Sequence, residues 1–234
     1  MKNKKLIILI IILVVVVITQ IILNIVIPKN KVLIASYVKT LEKDDITKNL
    51  PCDITRNGNK IPYFKVANNL YNSINDEILE NSLLRSCYQN GYIDYDVSLN
   101  SNILSLILYI SYETTDDLAN IEYKTYNIDI KNNVIINNQE LLNKYNLTIN
   151  DVNNKVLNYL QEYYKYETEN NLVDDGTTFN DYLNILNYKT ITYNNLVLYI
   201  DSKNHLYIYK EYELSEGMRR VDYFKNLTNL FKLK

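Results

Sequence analysis

Ile93-Asp94-Tyr95-Asp96-Val97-Ser98-Leu99-Asn100-Ser101-Asn102-Ile103-Leu104-Ser105-Leu106-Ile107-Leu108-Tyr109-Ile110-Ser111-Tyr112-Glu113 is the stretch that decides the fold. From Ile93 to Leu99 every second residue is apolar, with Asp94, Asp96, Ser98 and Asn100 between, which is the pattern of a strand with one apolar and one wet face. Ser101-Asn102 makes a short connection. After it, Leu104, Leu106, Leu108, Ile110 and Tyr112 share one face while Ile107 and Tyr109 make the other face apolar too, so this second strand is predicted to lie centrally in its sheet. A polar loop, Thr114 to Asn120, leads to a third strand, Ile121 to Ile130, with Tyr126, Ile128 and Ile130 on one side. Three neighbouring strands with short links read as an antiparallel meander.

Upstream, the period changes from 2 to 3.6. Leu70, Ile74 and Ile78 recur every four residues and continue as Leu84 and Cys87, predicting an amphipathic helix from Ala67 to about Tyr88, ended by Asn90-Gly91 as a left-handed cap. Asn57-Gly58 signals a tight turn, and Pro62 keeps Ile61 extended. Downstream, Asn138 to Tyr145 is a short helix candidate. A longer helix follows from Asn150 to Glu167, with Asn150 as N-cap and a stripe of Val152, Val156, Tyr159, Leu160 and Tyr163. Asp174-Asp175-Gly176 marks a loop before another short helix, Phe179 to Leu186. Three further strands are expected at Tyr188 to Tyr193, Leu196 to Asp201 and His205 to Glu213, with Asn194-Asn195 as a hairpin turn. The tail from Val221 to Phe231 reads as a final helix. Helix, meander, helices, meander is an α+β arrangement in which antiparallel sheet meanders pack with helices.

The N-terminus carries a different signal. Leu6 to Ile27 is almost unbroken apolar sequence, interrupted by Thr19, Gln20 and Asn24, with Lys2, Lys4 and Lys5 ahead of it and Pro28 behind. As a helix it would be about 33 Å long, enough to cross a bilayer core. It is too long for the apolar region of a cleaved signal peptide, and no small-residue cleavage site follows. The expected organisation is a cytoplasmic stub at 1–5, a single-pass membrane anchor at 6–27, a connector at 28–50 and an extracytoplasmic α+β region at 51–234. The leading lysines favour the inner side of the membrane.

Without Lys2, Lys4 and Lys5, 22 basic residues face 27 acidic ones. That balance argues against nucleic acid as a partner. The chain holds 23 Tyr and no Trp, so the expectation for most tyrosines is to fill core and sheet positions. Cys52 and Cys87 both fall on the exported side; a bridge between them or two free thiols are both open. If bridged, they would close a loop worth about 3 to 4 kcal/mol by chain entropy. Two thiols and one histidine, His205, do not supply a structural zinc set, so neither a metal nor a cofactor is expected.

Several phrases resemble the bacterial exported domain pair DUF4163 and DUF3298. Ile61-Pro-Tyr-Phe followed by Tyr71-Asn-Ser-Ile-Asn75 is similar to the first domain, here about 51–92. Leu104-Ser105, Tyr126-Asn-Ile-Asp-Ile130, Gln139-Glu-Leu-Leu142, Leu196-Val-Leu-Tyr199 and Lys210-Glu-Tyr-Glu-Leu214 ahead of Gly217 resemble the second, here 93–234. Where that family often has a Gly-Ala-His turn, this chain has Glu113 to Asn120, so no role of the turn carries over. The family includes the exported part of a sigma-factor regulator that binds lysozyme and a non-catalytic segment of peptidoglycan deacetylases. The resemblance implies a membrane-anchored, extracytoplasmic binding module of the cell envelope, recognising a protein such as lysozyme or a cell-wall glycan such as peptidoglycan.

Strand alternation offers Tyr109, Tyr199, Tyr207 and Tyr209 as a ring-lined binding surface; burial under the helices is the competing role for them. A structural subunit of an envelope complex, presenting a flat apolar patch instead, is the alternative function. A cell-wall-modifying enzyme is the third. Its carboxylates would come from Asp94 with Asp96, Asp116 with Asp117, Asp174 with Asp175 or Glu211 with Glu213, but solvated acidic surface accounts for each pair. No phosphate loop, nucleophile elbow or metalloprotease motif occurs, and no enzymatic role is expected.

Overall fold

The computed structural model describes residues 30–45, 52–55, 58–113, 119–186, 188–213 and 219–224, with backbone only at 119–120 and from 210 onward. The apolar run at 6–27, Asn57 and the tail beyond Phe224 lie outside the described residues. Among those described, no helix is long and apolar enough to cross a membrane.

The architecture is α+β with antiparallel sheets. A helix at residues 30–37 (α1) leads into a two-stranded sheet of β1 (Val38–Thr40) and β2 (Pro62–Phe64). The predicted meander forms a four-stranded sheet in sequential order: β3 (Tyr92–Asn100), β4 (Ile103–Glu113), β5 (Ala119–Asp129) and the short β6 (Val134–Ile135). Between β2 and β3 lies α2 (Asn69–Tyr88). Helices α3 (Asn138–Lys144), α4 (Ile149–Glu169) and α5 (Phe179–Ile185) come next. A second sheet follows, with β7 (Val197–Ile200), β8 (Leu206–Glu213) and β9 (Arg219–Phe224) in sequential order.

Packing follows from the alternation. Leu104, Leu106, Leu108 and Ile110 of β4 are buried with Ile93, Leu99, Tyr126 and Ile128 against Tyr71, Ile74 and Ile78 of α2 and the β1–β2 ribbon. The opposite side of β4 is closed as well, at Ser105 and Ile107, which fits its predicted central place. That side meets the second sheet. Leu198 and Ile200 of β7 with Leu206 and Ile208 of β8 turn the other way, into a second core with Leu141, Leu142, Val152, Val156 and Leu160. The order of layers is therefore α2, first sheet, second sheet, then α3 to α5.

Helix ends are set by side chains rather than by glycine alone. Asn137 with Glu140, Thr148 with Asp151 and Thr178 with Asp181 form capping boxes that satisfy otherwise unpaired N–H groups. Asn90, Asn146 and Asn171 take positive φ just past three helices. Gly91 follows Asn90 for a steric reason: a Cβ there would stand 2.7 Å from the Arg85 carbonyl oxygen.

The structure corrects several expectations. The N-cap of α4 is Thr148 rather than Asn150, because Thr148 has Asp151 three residues on to complete the box. Leu84 is exposed, and Ser82 and Ser86 occupy the buried face of α2 instead. The Ser98 end of the wet face of β3 is covered by the second sheet. Tyr188 to Tyr193 forms no strand, and Asn194-Asn195 is no hairpin; Tyr193–Asn195 is a 3-10 turn. Residues 219–224, placed partly in a C-terminal helix, are a strand paired with β8.

A common device explains the irregular segments. Ile191 sits in extended chain, yet its N–H donates to Asn153 Oδ1 at 2.8 Å and its carbonyl accepts from Asn153 Nδ2 at 2.9 Å. One side-chain amide thus replaces a neighbouring strand. Asn75 does the same for Phe64, accepting from its N–H at 2.8 Å and donating to its carbonyl at 2.9 Å. Asn59 donates to the Ile54 carbonyl and to Ser86 Oγ and accepts from the Ile93 N–H.

Candidate functional site

The four tyrosines singled out by alternation do come together. Tyr199 pairs with Tyr207 and Tyr209 with Val197 in the β7–β8 register, and they face Ile107, Tyr109 and Tyr123 of the first sheet. Tyr123 and Tyr209 have ring centroids 4.8 Å apart, and Tyr109 meets both edge-on. Tyr199 and Tyr209 are 8% and 7% exposed, while Tyr109 and Tyr207 are half-buried. The rings lie between the two sheets, not under the helices. Burial pushes the Tyr199 phenol up to about 12. Burial also raises Tyr109, helped by Tyr209 and by Asp96, which accepts its hydroxyl at 3.1 Å.

Polar side chains complete the same interface. β7 is an edge strand, and its outward backbone meets the face of the first sheet. Asn127 Nδ2 donates to the Leu198 carbonyl at 2.9 Å, the Ile200 N–H donates to Ser105 Oγ at 3.0 Å, and Ser98 donates to the Ile200 carbonyl. Ser105 in turn donates to Asn127 Oδ1 at 2.6 Å. These three residues are buried, so the network satisfies an edge that would otherwise lack partners.

Beside this interface opens a cleft of about 510 Å3. One wall is the outer edge of β5 at Tyr123, Lys124 and Thr125; the floor is Ile135 to Gln139; the far wall is Tyr193, Asn194, Leu196 and Val197. The far wall is held by Asn138, whose Nδ2 donates to the carbonyls of Tyr193 at 2.8 Å and Leu196 at 2.6 Å. The lining combines half-buried rings, side-chain amides, one exposed isoleucine and Lys124. Of the residues named from sequence, none of Tyr109, Tyr199, Tyr207 or Tyr209 lines this cleft. One legible signal lay in Asn137-x-x-Glu140, whose capping box ends β6 after two residues and leaves the edge of β5 open.

Cys52 and Cys87 are bridged, with Cα atoms 5.6 Å apart, tying the segment before β2 to the end of α2. His205 sits in the β7–β8 turn with Nδ1 3.1 Å from Asp201 Oδ2, which also accepts from the Tyr207 hydroxyl. Burial would raise the Asp201 carboxyl, but hydrogen bonds from the His205 and Lys203 N–H groups and from the two side chains hold it below its usual range. Among the acidic pairs, Asp94 is bonded to Lys60 and Asp96 to Tyr109, and Asp174 and Asp175 are in a loop. Asp116 and Asp117 lie outside the described residues, and the Glu211 and Glu213 side chains are not described. Among the described residues no three of His, Cys, Asp and Glu converge. Neither a protein-family model nor a curated protein matches the chain.

Proposed function

We propose that the chain is a membrane-anchored binding module of the bacterial cell envelope, with residues 6–27 as the anchor and the α+β region outside. The observation that carries this reading is the 510 Å3 cleft, built jointly from the edge of one sheet and the approach to the other. Its aromatic rings and side-chain amides, with Lys124 on one wall, supply the apolar surface and few polar groups that hold a ligand. The Cys52–Cys87 bridge fits an oxidising compartment, as does the apolar run that would export everything after it. The resemblance to an exported domain pair names the ligands to try first, lysozyme and peptidoglycan.

The test has two arms. Protease added to cells stripped of wall should digest the C-terminal region, and full protection would refute the topology. A fragment beginning at Lys31, immobilised and offered lysozyme or purified peptidoglycan, should retain one of them. Retention of neither removes both candidate ligands.

A further inference from the structure

The outer edge of β5 is only partly occupied. β6 pairs with Ile128 and Asp129, the Ile136 N–H donates to the Asn127 carbonyl at 2.8 Å, and there the Asn137 capping box turns the chain into α3. Backbone groups alternate in direction along a strand. Since Asn127 points its carbonyl to this edge, Thr125 and Ile121 point both their N–H and C=O groups there, while Lys124 and Tyr126 face β4. The β3 edge obeys the same alternation, with Ile93 turned outward to Lys60 and Asn59. Among the described residues no strand lies beside β5 ahead of Asn127, and the Thr125 position opens into the cleft.

We propose that the cleft binds an extended segment of a partner protein, added to β5 as a strand that continues the line of β6. This rests on the reading of the chain as a binding module and names the ligand's chemistry. An extended peptide presents N–H and C=O groups with the two-residue period of the edge, and main-chain pairing of this kind supplies affinity without a fixed sequence. A glycan has no such period. The place is set by continuity with pairing the fold already makes, because β6 starts a strand line that α3 cuts short. Side chains of the added strand that face the second sheet meet Tyr123, Tyr193 and Val197, which selects apolar or aromatic residues. Those between them meet the other face, where Lys124 is paired with Glu77, which selects polar ones. The occupant is therefore a strand of alternating character.

Thr125→Pro tests this directly. The Thr125 N–H points away from β4, so proline removes a donor the fold does not use, as edge strands tolerate. A phage-displayed random-peptide library is panned on the full chain in detergent. Enriched peptides should alternate apolar and polar residues, and the variant should weaken them at least about tenfold. On the unaltered chain, bound peptide should slow hydrogen exchange of the Thr125 amide, a readout that holds even if the variant folds poorly. No enrichment, or binding that leaves Thr125 exchange unchanged, overturns the proposal. So does self-association of the chain that Thr125→Pro abolishes, which would give the edge to a second copy. If lysozyme or peptidoglycan binds parent and variant equally while no peptide is enriched, strand addition fails and the binding-module reading stands. If peptides bind as expected but the C-terminal region is not outside the membrane, the envelope reading fails instead.

Discussion

Replacing Asn75 by alanine should cost more than any contact count on α2 suggests, because Asn75 stands in for a strand. Its side chain is 3% exposed and holds both backbone groups of Phe64, which is itself buried. Truncation leaves one N–H and one C=O without partners in a dry core, at about 1–3 kcal/mol each. The loss should total about 2 to 6 kcal/mol, and at about 2–4 °C per kcal/mol for a chain of this size the midpoint of thermal unfolding should fall by roughly 4 to 24 °C. Urea unfolding followed by circular dichroism gives the number: the midpoint should drop with the slope unchanged. Asn75→Asp separates donation from size, since it keeps the shape but turns an oxygen toward the Phe64 carbonyl, and it should be at least as harmful as alanine. Asn72→Ala, on the exposed face of the same helix, should stay within about 0.5 kcal/mol. A parent-like Asn75→Asp would refute the strand-substitute argument outright.

Three further outcomes follow from the geometry. Changing both Cys52 and Cys87 to serine opens the 35-residue separation they span and should cost about 4 kcal/mol, read in the same urea experiment against the oxidised parent. Gly91→Ala forces a methyl against the Arg85 carbonyl at 2.7 Å and should destabilise by about 1–3 kcal/mol, seen as faster hydrogen exchange at the α2–β3 junction. Asp201 is held below its ordinary value in the folded chain, so the stability it adds is present above the unfolded pKa of about 4 and is lost as pH falls through the lower folded value. Asp201→Asn should flatten the acid limb of a stability-against-pH curve below about pH 4; an unchanged limb would place the acid sensitivity elsewhere.

The meander was legible because Ile93 to Leu99 alternates cleanly, a short Ser101-Asn102 link follows, and β4 announced its central place by being apolar on both faces. The α4 stripe of Val152, Val156 and Leu160 was legible for the same reason at the other period. What escaped had its backbone satisfied by side chains. Tyr188 to Tyr193 has strand-like composition, but its partner is the Asn153 amide, and no local pattern distinguishes an asparagine that does this from one in solvent. β9 was hidden although it is the sequential hairpin partner of β8, with Glu213 opposite Arg219, because the residues from Val221 onward also carry an apolar spacing that suits a helix. The candidate site was less readable: alternation offered Tyr109, Tyr199, Tyr207 and Tyr209 as a ring-lined surface, but Tyr199 and Tyr209 are buried where the two sheets meet, and that stacking is something alternation leaves open. The cleft arises from an absence, a strand cut short after Ile135, and it showed in the sequence only as an early helix cap.

Ser98, Ser105 and Asn127 join the two sheets by atoms rather than by a shared ladder, and this shapes how the chain can drift. Ladder partners need only suit a pleated surface, so many pairs serve. These three must keep a hydroxyl or amide at a set reach from a foreign backbone, so alanine at any of them, or glutamine in place of Asn127, would miss, whereas the neighbouring tyrosines contribute to the seam chiefly through their packed rings. Mutational tolerance across the seam between layers should therefore be uneven, narrow at its smallest residues and wide at its biggest.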